Sequence, residues 1–600
     1  MRPRLVCAAA AAAVVLPLVV ALIALRGDGW HPVLDLAMTE LRVRDVFGLR
    51  TPLIGLPGRI GEYPDQGSHP GPLGFYLLAP PYRLLGSSAW ALQVATVVIH
   101  TAAVVTALWI GYRRAGWRGA AAVSAVLAVV VRGYGQLLLT QPWNPYLPLL
   151  AWIVVLLAAW AVGCGDTLMV VPLVVAGSFC AQTHVPYLVP AGALTIGALL
   201  VAARGNRRHA LTGVGLGVAL WIPPLVDQVT NDPGNIRKLL DHFTSPPDEA
   251  LGVVEGGRLA LRHLDVWAGF AGQLAGSGRF VSPSSAWRGL LMLLVWLVAA
   301  AVAWRFGSRA LRALHATVAA ALLLGFVSMS RIFGLAWYYL SLWAWGITAV
   351  AAGAVVWSAL TVSRRFRRVA SRQRTERLTG RLAILVAAAA SLSSAVAFAD
   401  ADVPEERLSD VVAAVAGPTY AAIAAGAGAA GEGAATGTGG VYVVRWSDAA
   451  DIGSPGIGLL NELERRGLDV IGDEFWRTPL TAHRTAPRSA ATAQIHLATG
   501  GYVARWRAVT DAVEVAMYEP RSAAERALYR RTRAALIERL GSEGLDEIVP
   551  LVDTNLFGGS LDQRISAADL ADFELLLELG QPTSVFIAPA CAEPGLPDAC

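Results

Sequence analysis

The chain has 600 residues, 55% of them hydrophobic and only 16% charged, with a mean hydropathy of +0.50. A soluble chain carries roughly 25% charged residues, so a soluble multidomain enzyme is excluded. A receptor with one spanning helix is excluded too, because runs of about 20 apolar residues, the length of one bilayer crossing, recur until about residue 400. The net charge of +5 is nearly all arginine, with Lys238 the single lysine. The arginines fall in short clusters between apolar blocks, a pattern that orients a membrane protein rather than binding nucleic acid.

In chain order the apolar blocks lie near 5–26, 88–111, 119–135, 146–163, 168–184, 187–203, 210–226, 289–304, 313–330, 336–360 and 381–399, which gives eleven expected spans. Arg2 and Arg4 precede the first; Arg113, Arg114 and Arg118 follow the second; Arg204, Arg207 and Arg208 follow the sixth; Arg305, Arg309 and Arg312 follow the eighth. The densest cluster, from Arg364 to Arg381, separates the tenth from the eleventh. Eleven spans put every cluster on one side, so the expectation is a multi-pass protein of the plasma (inner) membrane with a cytoplasmic N-terminus and an outer C-terminus. The first block reads as an uncleaved anchor, since its apolar run exceeds that of a signal peptide.

Three regions do not read as spans. The first outer loop, 27–87, opens with Leu34, Met38 and Leu41 at helical spacing, and its later LGFYLLAPPYRLL is too short to cross and is cut by Pro80 and Pro81. The second, 227–288, holds the amphipathic stretches NIRKLLDHF and GRLALRHLDVWAGF. After an Ala/Gly-rich linker over 400–440, residues 441–600 alternate strand-like runs (VYVVRW, LDVIG, AQIHLATG, VEVAMYEP, TSVFIAP) with helices (GIGLLNELERRG, AAERALYRRTRAALIERL), the pattern of an α/β domain. The expected fold is therefore an α-helical polytopic membrane domain, 1–399, followed by an extracytoplasmic α/β domain. Cys591 and Cys600 flank a short Pro/Gly loop and form a candidate disulfide in an oxidising compartment.

Candidate chemistry sits in the outer loops. Asp35, Glu40 and Asp45 follow the first span at five-residue steps; each step advances about 500° on a helix, so the three spread around it rather than line one face. The same loop carries His69, Tyr76, Tyr82 and Arg83 among Pro/Gly turns, and its six acidic residues are matched by six arginines, Arg26 at its edge and Arg59 included, as in a solvated loop. Similar punctuation recurs in QPWNPYLP (Gln141, Trp143, Asn144, Tyr146), QTHVPY (Gln182, His184, Tyr187) and SRIFGLAWYY (Arg331, Trp337, Tyr338, Tyr339). An interfacial Trp/Tyr belt explains the aromatics but not Gln182, His184 or Arg331 in apolar surroundings. Aromatic faces stack on sugar rings, amides and imidazoles bind hydroxyls, and arginine pairs with phosphate. A secondary transporter predicts internal repeats and ionisable groups deep in the spans; no repeat is seen, and His100 and His315 are placed near span ends. A lipid-linked glycan flippase or ligase would also present arginines and aromatics outward, and a membrane scaffold would leave the first-loop carboxylates dispensable.

The segment DLAMTELRVRDVFG, then TPLIG and HPGPLGFYLLAPPYRLLG, resembles actinobacterial arabinofuranosyl- or mannosyltransferase-like members of the GT-C superfamily of membrane glycosyltransferases, as does the order of one span, an acidic outer loop, about ten further spans and an exposed C-terminal domain. The resemblance covers the first ~400 residues. It implies a polyprenyl-phosphate sugar donor, arabinofuranose or mannose, a cell-envelope glycan or glycolipid acceptor, and reaction on the outer face of the lipid bilayer. It also implies a first-loop carboxylate as general base: Asp35 first, then Glu40 and Asp45. This chain lacks the adjacent acidic pair that many members carry. Arg331, then Arg83, are the expected phosphate partners, and His69 the group that orients acceptor or carboxylate. Some members use a divalent cation, which is the one candidate cofactor.

Overall fold

The computed structural model describes residues 3–27, 29–267, 286–365, 369–427 and 437–595. It divides into two units: one of Met1–Asp28 with Arg42–Asp402, the other of Gly29–Leu41 with Val403–Cys600.

The first unit is helical: α1 (Pro3–Ala24), α3 (Leu73–Leu84), α4 (Ala89–Thr140), α5 (Leu149–Gly163), α6 (Val170–Thr183), α7 (Leu188–Gly205), α8 (Arg207–Thr230), α9 (Asn235–Thr244), α10 (Gly252–His263), α11 (Ala286–Phe306), α12 (Arg309–Ser330), α13 (Ala344–Arg365) and α14 (Val369–Ala397). The helix α2 (Leu34–Asp45) lies between α1 and α3, and the division into units falls within it, after Leu41. Among the described residues eight helices are long and apolar enough to cross a bilayer; the chain is a multi-pass membrane protein.

Two of the eleven expected blocks share the 52-residue α4, whose helical geometry breaks at Ala115 and at Gly116 (φ 59°, ψ −150°). A backbone of that kind is open almost only to glycine. The bend brings Gly119 so close to Gly111 that a Cβ on Gly119 would stand 2.1 Å from the Gly111 carbonyl oxygen. The blocks at 146–163 and 168–184 fall in α5 and α6, of 15 and 14 residues. At 1.5 Å per residue these helices reach only about 20 Å, less than the ~30 Å hydrocarbon layer. Every residue of α5 from Leu149 to Val162 is buried, which is why its sequence is apolar on all sides. His100, expected near a span end, is the twelfth residue of α4 and lies well inside its first segment. The run LGFYLLAPPYRL forms one helix, α3, that carries Pro80 and Pro81 inside it instead of ending there, at the loss of two backbone donors.

The expected amphipathic stretches of the second outer region form α9 and α10; the end of GRLALRHLDVWAGF lies outside the described residues.

The second unit holds a five-stranded sheet in the order β2-β1-β3-β5-β4, with β1 Val441–Ser447, β2 Asp469–Gly472, β3 Ala493–Thr499, β4 Val513–Tyr518 and β5 Thr583–Pro589. Strand β1 is parallel to β2 and β3, and β5 antiparallel to β3 and β4. The central β3 is buried at all its residues. The unit's helices longer than four residues are α15 (Glu406–Ala424), α16 (Ser454–Arg465), α17 (Gly501–Arg507), α18 (Ala523–Ser542) and α19 (Ala567–Leu579). All seven elements expected here are present. Helix α15 was not expected: it lies inside the segment read as linker. Helices α18 and α19 each open on a capping box, Ser522 with Glu525 and Ser566 with Asp569, and Leu536, Leu540, Val552, Phe573 and Leu576 form the core beside them. Cys600 of the expected disulfide lies outside the described residues.

Candidate functional site

In the first unit, four separate loops converge on a group of aromatic and polar side chains. The first outer loop folds back on itself, with Gly55 N–H donating to His69 O (2.9 Å) and His69 N–H to Leu56 O (2.8 Å). Asn235, at the start of α9, holds it by accepting from Ser68 N–H (2.7 Å) and donating to Ser68 O (3.0 Å). That clasp sets His69 beside the turn after α6, where its Nδ1 accepts from Val185 N–H at 3.1 Å. Burial pushes the His69 imidazole down to about 3, so the ring is neutral at physiological pH, with Nδ1 the acceptor and Nε2 carrying the proton.

The rings then follow one another. His69 lies 5.1 Å from His184. His184 lies 6.1 Å from Tyr187 and 6.4 Å from Tyr339. Tyr339 is stacked on Trp337 at 6.0 Å and meets Trp143 edge-on at 4.9 Å. Trp143 meets Tyr146 at 4.8 Å, and the Tyr146 and Tyr338 hydroxyls are hydrogen-bonded to each other. Tyr187 packs against Trp152 of α5 at 6.0 Å. Arg59, which reads in the sequence as one more solvated loop charge, lies over the Trp337 ring at 4.4 Å, a cation–π contact.

Among these rings and beside them in sequence are buried polar atoms without a protein hydrogen-bond partner: Gln182 Oε1, Thr183 Oγ1, His184 Nδ1, Tyr187 Oη and, on α5, Trp152 Nε1. An orphaned buried donor or acceptor costs about 1–3 kcal/mol, and native proteins carry few without a water, an ion or a ligand to explain them. Four of the five sit in the single stretch Gln182–Tyr187. The other side-chain end of Gln182 is fixed, Nε2 donating to Leu220 O at 2.9 Å, and the Gln182 backbone carbonyl accepts from Gly71 N–H at 3.1 Å. Gly71 is required there, because a Cβ would stand 2.2 Å from Gln182 Oε1.

The remaining candidates of this unit are placed elsewhere. Tyr76 donates to Pro52 O (2.6 Å) and braces the loop. Asn144 is buried beside Trp143 in sequence. Arg83, expected as a phosphate partner, donates to the carbonyls of Arg44 and Val46 and so caps the C-terminal end of α2, a favourable place for a cation. Arg331 is exposed, donates to Phe243 O (3.0 Å) and lies over the Phe333 ring. Asp45 is the last residue of α2, and its carbonyl accepts from Gly48 N–H.

The other two first-loop carboxylates belong to the second unit. Asp35 stands in the first turn of α2, where the helix dipole favours a negative charge, and is half-buried. It acts on Glu405 at the start of α15: burial raises the Glu405 carboxyl, Arg407 opposes the rise and the Asp35 charge adds to it. Glu40 is fully buried and accepts from Asn461 Nδ2 (2.8 Å) and Arg465 (3.2 Å). The two carboxylates thus meet different surroundings, as their angular separation on the helix requires. A divalent cation would need converging anionic or imidazole ligands; among the described residues no three such groups are placed to hold one.

No protein-family model matches the chain, and no curated protein does. Solved structures to which the chain is similar include the following two. The apo crystal structure of ArnT from Cupriavidus metallidurans aligns with a TM-score of 0.49 at 13% identity, over 83% of this chain and 94% of that one. The oligosaccharyltransferase AglB from Archaeoglobus fulgidus, in complex with an inhibitory peptide and a dolichol-phosphate, aligns with a TM-score of 0.35 at 13% identity, over 68% of this chain and 58% of that one.

Proposed function

We propose that the chain is a membrane glycosyltransferase that moves a sugar from a polyprenyl-phosphate donor to a cell-envelope glycan or glycolipid on the outer face of the plasma membrane. The observation that carries this reading is the coincidence of five orphaned, buried polar atoms with stacked aromatic rings. Aromatic faces match the C–H faces of a pyranose or furanose, while orphaned hydroxyl, amide and imidazole groups match its hydroxyls. A purely structural Trp/Tyr belt would supply the rings without the orphans.

The reaction is an inverting displacement. Asp35, as general base, takes the proton of the acceptor hydroxyl as that oxygen bonds to the anomeric carbon; the bond from that carbon to the phosphate oxygen breaks, and polyprenyl phosphate leaves. Asp35 ends protonated and is reset by solvent. Glu40 is less suited to this task, since it is buried and its Oε2 already accepts from both Asn461 and Arg465. The resemblance of the first ~400 residues favours arabinofuranose as the sugar, with mannose next. The arginine clusters support a cytoplasmic N-terminus and an outer C-terminal domain.

The test is transfer of labelled sugar from arabinosyl, mannosyl and glucosyl polyprenyl-phosphate donors in membranes, comparing wild type with His184→Ala and Tyr187→Phe at matched expression. One donor is expected to give a glycolipid product, with at least a tenfold loss of donor use in His184→Ala. No transfer from any of the three would overturn the reading.

A further inference from the structure

We propose that Asn461 and Arg465 on α16 are positioning residues for transfer, clamping the Asp35-bearing part of α2 through Glu40; this rests on the transferase reading above. The segment Gly29–Leu41 is held to the second unit by contacts made on several sides. Trp30 Nε1 donates to Pro404 O (3.0 Å) and His31 N–H to Ser409 Oγ (2.8 Å). His31 Nδ1 is 3.2 Å from Glu462 Oε2. Glu40 takes Asn461 and Arg465, and Arg484 donates to Leu41 O at 3.3 Å.

On α16 the groups concerned are Gly458, Asn461, Glu462 and Arg465, at relative positions i, i+3, i+4 and i+7, which is one face of a helix. Each has a matching part. Gly458 lets the backbone of Pro32–Val33 approach, since a Cβ there would stand 2.9 Å from a Val33 methyl and 3.1 Å from Pro32 O. Glu462 is shared by His31, Arg465 and Arg466, and Arg465 reaches both Glu462 and Glu40. This face therefore grips the chain both before Asp35, at Pro32–Val33 and His31, and after it, at Glu40. A segment held on both sides of Asp35, about two helical turns apart, resists the rotation that would carry the carboxylate away, which is the rigidity a general base needs. Neither Asn461 nor Arg465 touches the reacting atoms; they act through α2.

The experiment uses the full chain in membranes and compares wild type, Arg465→Met, Arg465→Lys and the double variant Glu40→Gln/Arg465→Met. Arg465→Met takes a cation away from the buried Glu40 and Glu462 carboxylates and is expected to lower stability; the double variant removes the Glu40 charge as well and is expected to recover part of that stability. Positioning predicts that kcat stays at least tenfold down in both Arg465→Met and the double variant, with donor KM within twofold of wild type, and that Arg465→Lys restores most of it. Recovery of kcat together with stability in the double variant would overturn the proposal and leave a merely structural pair. Amide exchange over 34–45 is read on the same proteins. It is expected to rise in Arg465→Met and the double variant, and no rise would overturn the clamp. If wild type transfers no sugar the function reading fails, while the exchange result still decides whether α16 holds α2.

Discussion

At the scale of single residues, two positions separate packing from chemistry. Gly71 faces Gln182 with no room for a methyl group. Gly71→Ala is therefore expected to displace Gln182 and cost about 1–3 kcal/mol, read as a lower thermal midpoint in detergent, together with weaker donor use. His69 offers a pH signature. Its folded value, near 3, lies below the ordinary 6.5, so below that value the unfolded chain binds the proton that the folded one refuses. Stability contributed at neutral pH is then lost progressively as pH falls from 6.5 toward 3. His69→Gln, which keeps an acceptor for Val185 N–H, is expected to flatten that slope in thermal unfolding across the range; an unchanged slope would assign it to other groups. The residues that the sequence marks by type, His184, Gln182, Trp143 and the Trp337–Tyr339 run, do meet in space. Arg59 carries no such mark, because a loop arginine that covers Trp337 looks the same in sequence as one in solvent.

At the scale of elements, legibility follows from how local the cause is. Apolar runs and arginine clusters place the helices, since a bilayer leaves few other backbone structures open to a spanning chain, and the strand runs of the α/β unit are bounded by glycine and charge. Helix α15 was hidden because its DVVAAVAGPTYAAIA runs into GAGAAGEG, a composition that reads as linker, with Pro418 inside it. The bend in α4 could be read only as a gap between blocks, yet it depends on one backbone geometry at Gly116. Gly116→Val is expected to cost about 1–3 kcal/mol through that geometry, measured by thermal unfolding, whereas Gly116→Asn should be milder. The grip of α16 on α2 was out of reach altogether: Glu40 and Arg465 stand 425 positions apart, and neither residue type is unusual on a helix.

At the scale of the whole molecule, two carboxyls of the second unit should answer acid in opposite senses. In the second unit the Asp451 carboxyl is pushed up to about 6, from an ordinary 3.8, by burial, with the guanidinium of Arg407 opposing. The folded form therefore holds this proton more tightly, and its contribution to stability falls as pH rises from 3.8 to about 6 and is level above. Glu462 works in the opposite sense. Burial alone would raise it, but the hydrogen bond from His31 and the charge of Arg465 hold it down at about 2, so its contribution is present above 4.5 and lost as pH falls toward 2. Amide exchange of β1 and β3, corrected for intrinsic rates, should show the Asp451 slope between pH 4 and 6 and lose it in Asp451→Asn.

The proposed chemistry turns on Asp35 as the base. Transfer of labelled sugar from the accepted polyprenyl-phosphate donor, measured in membranes for wild type, Asp35→Asn and Glu40→Gln at matched expression, tests it most directly. Asp35→Asn should abolish product formation, with a loss of 10²-fold or more in the range general-base catalysis supplies, while Glu40→Gln, which keeps the Asn461 hydrogen bond, should retain measurable turnover. Activity that survives Asp35→Asn would contradict its role as the base.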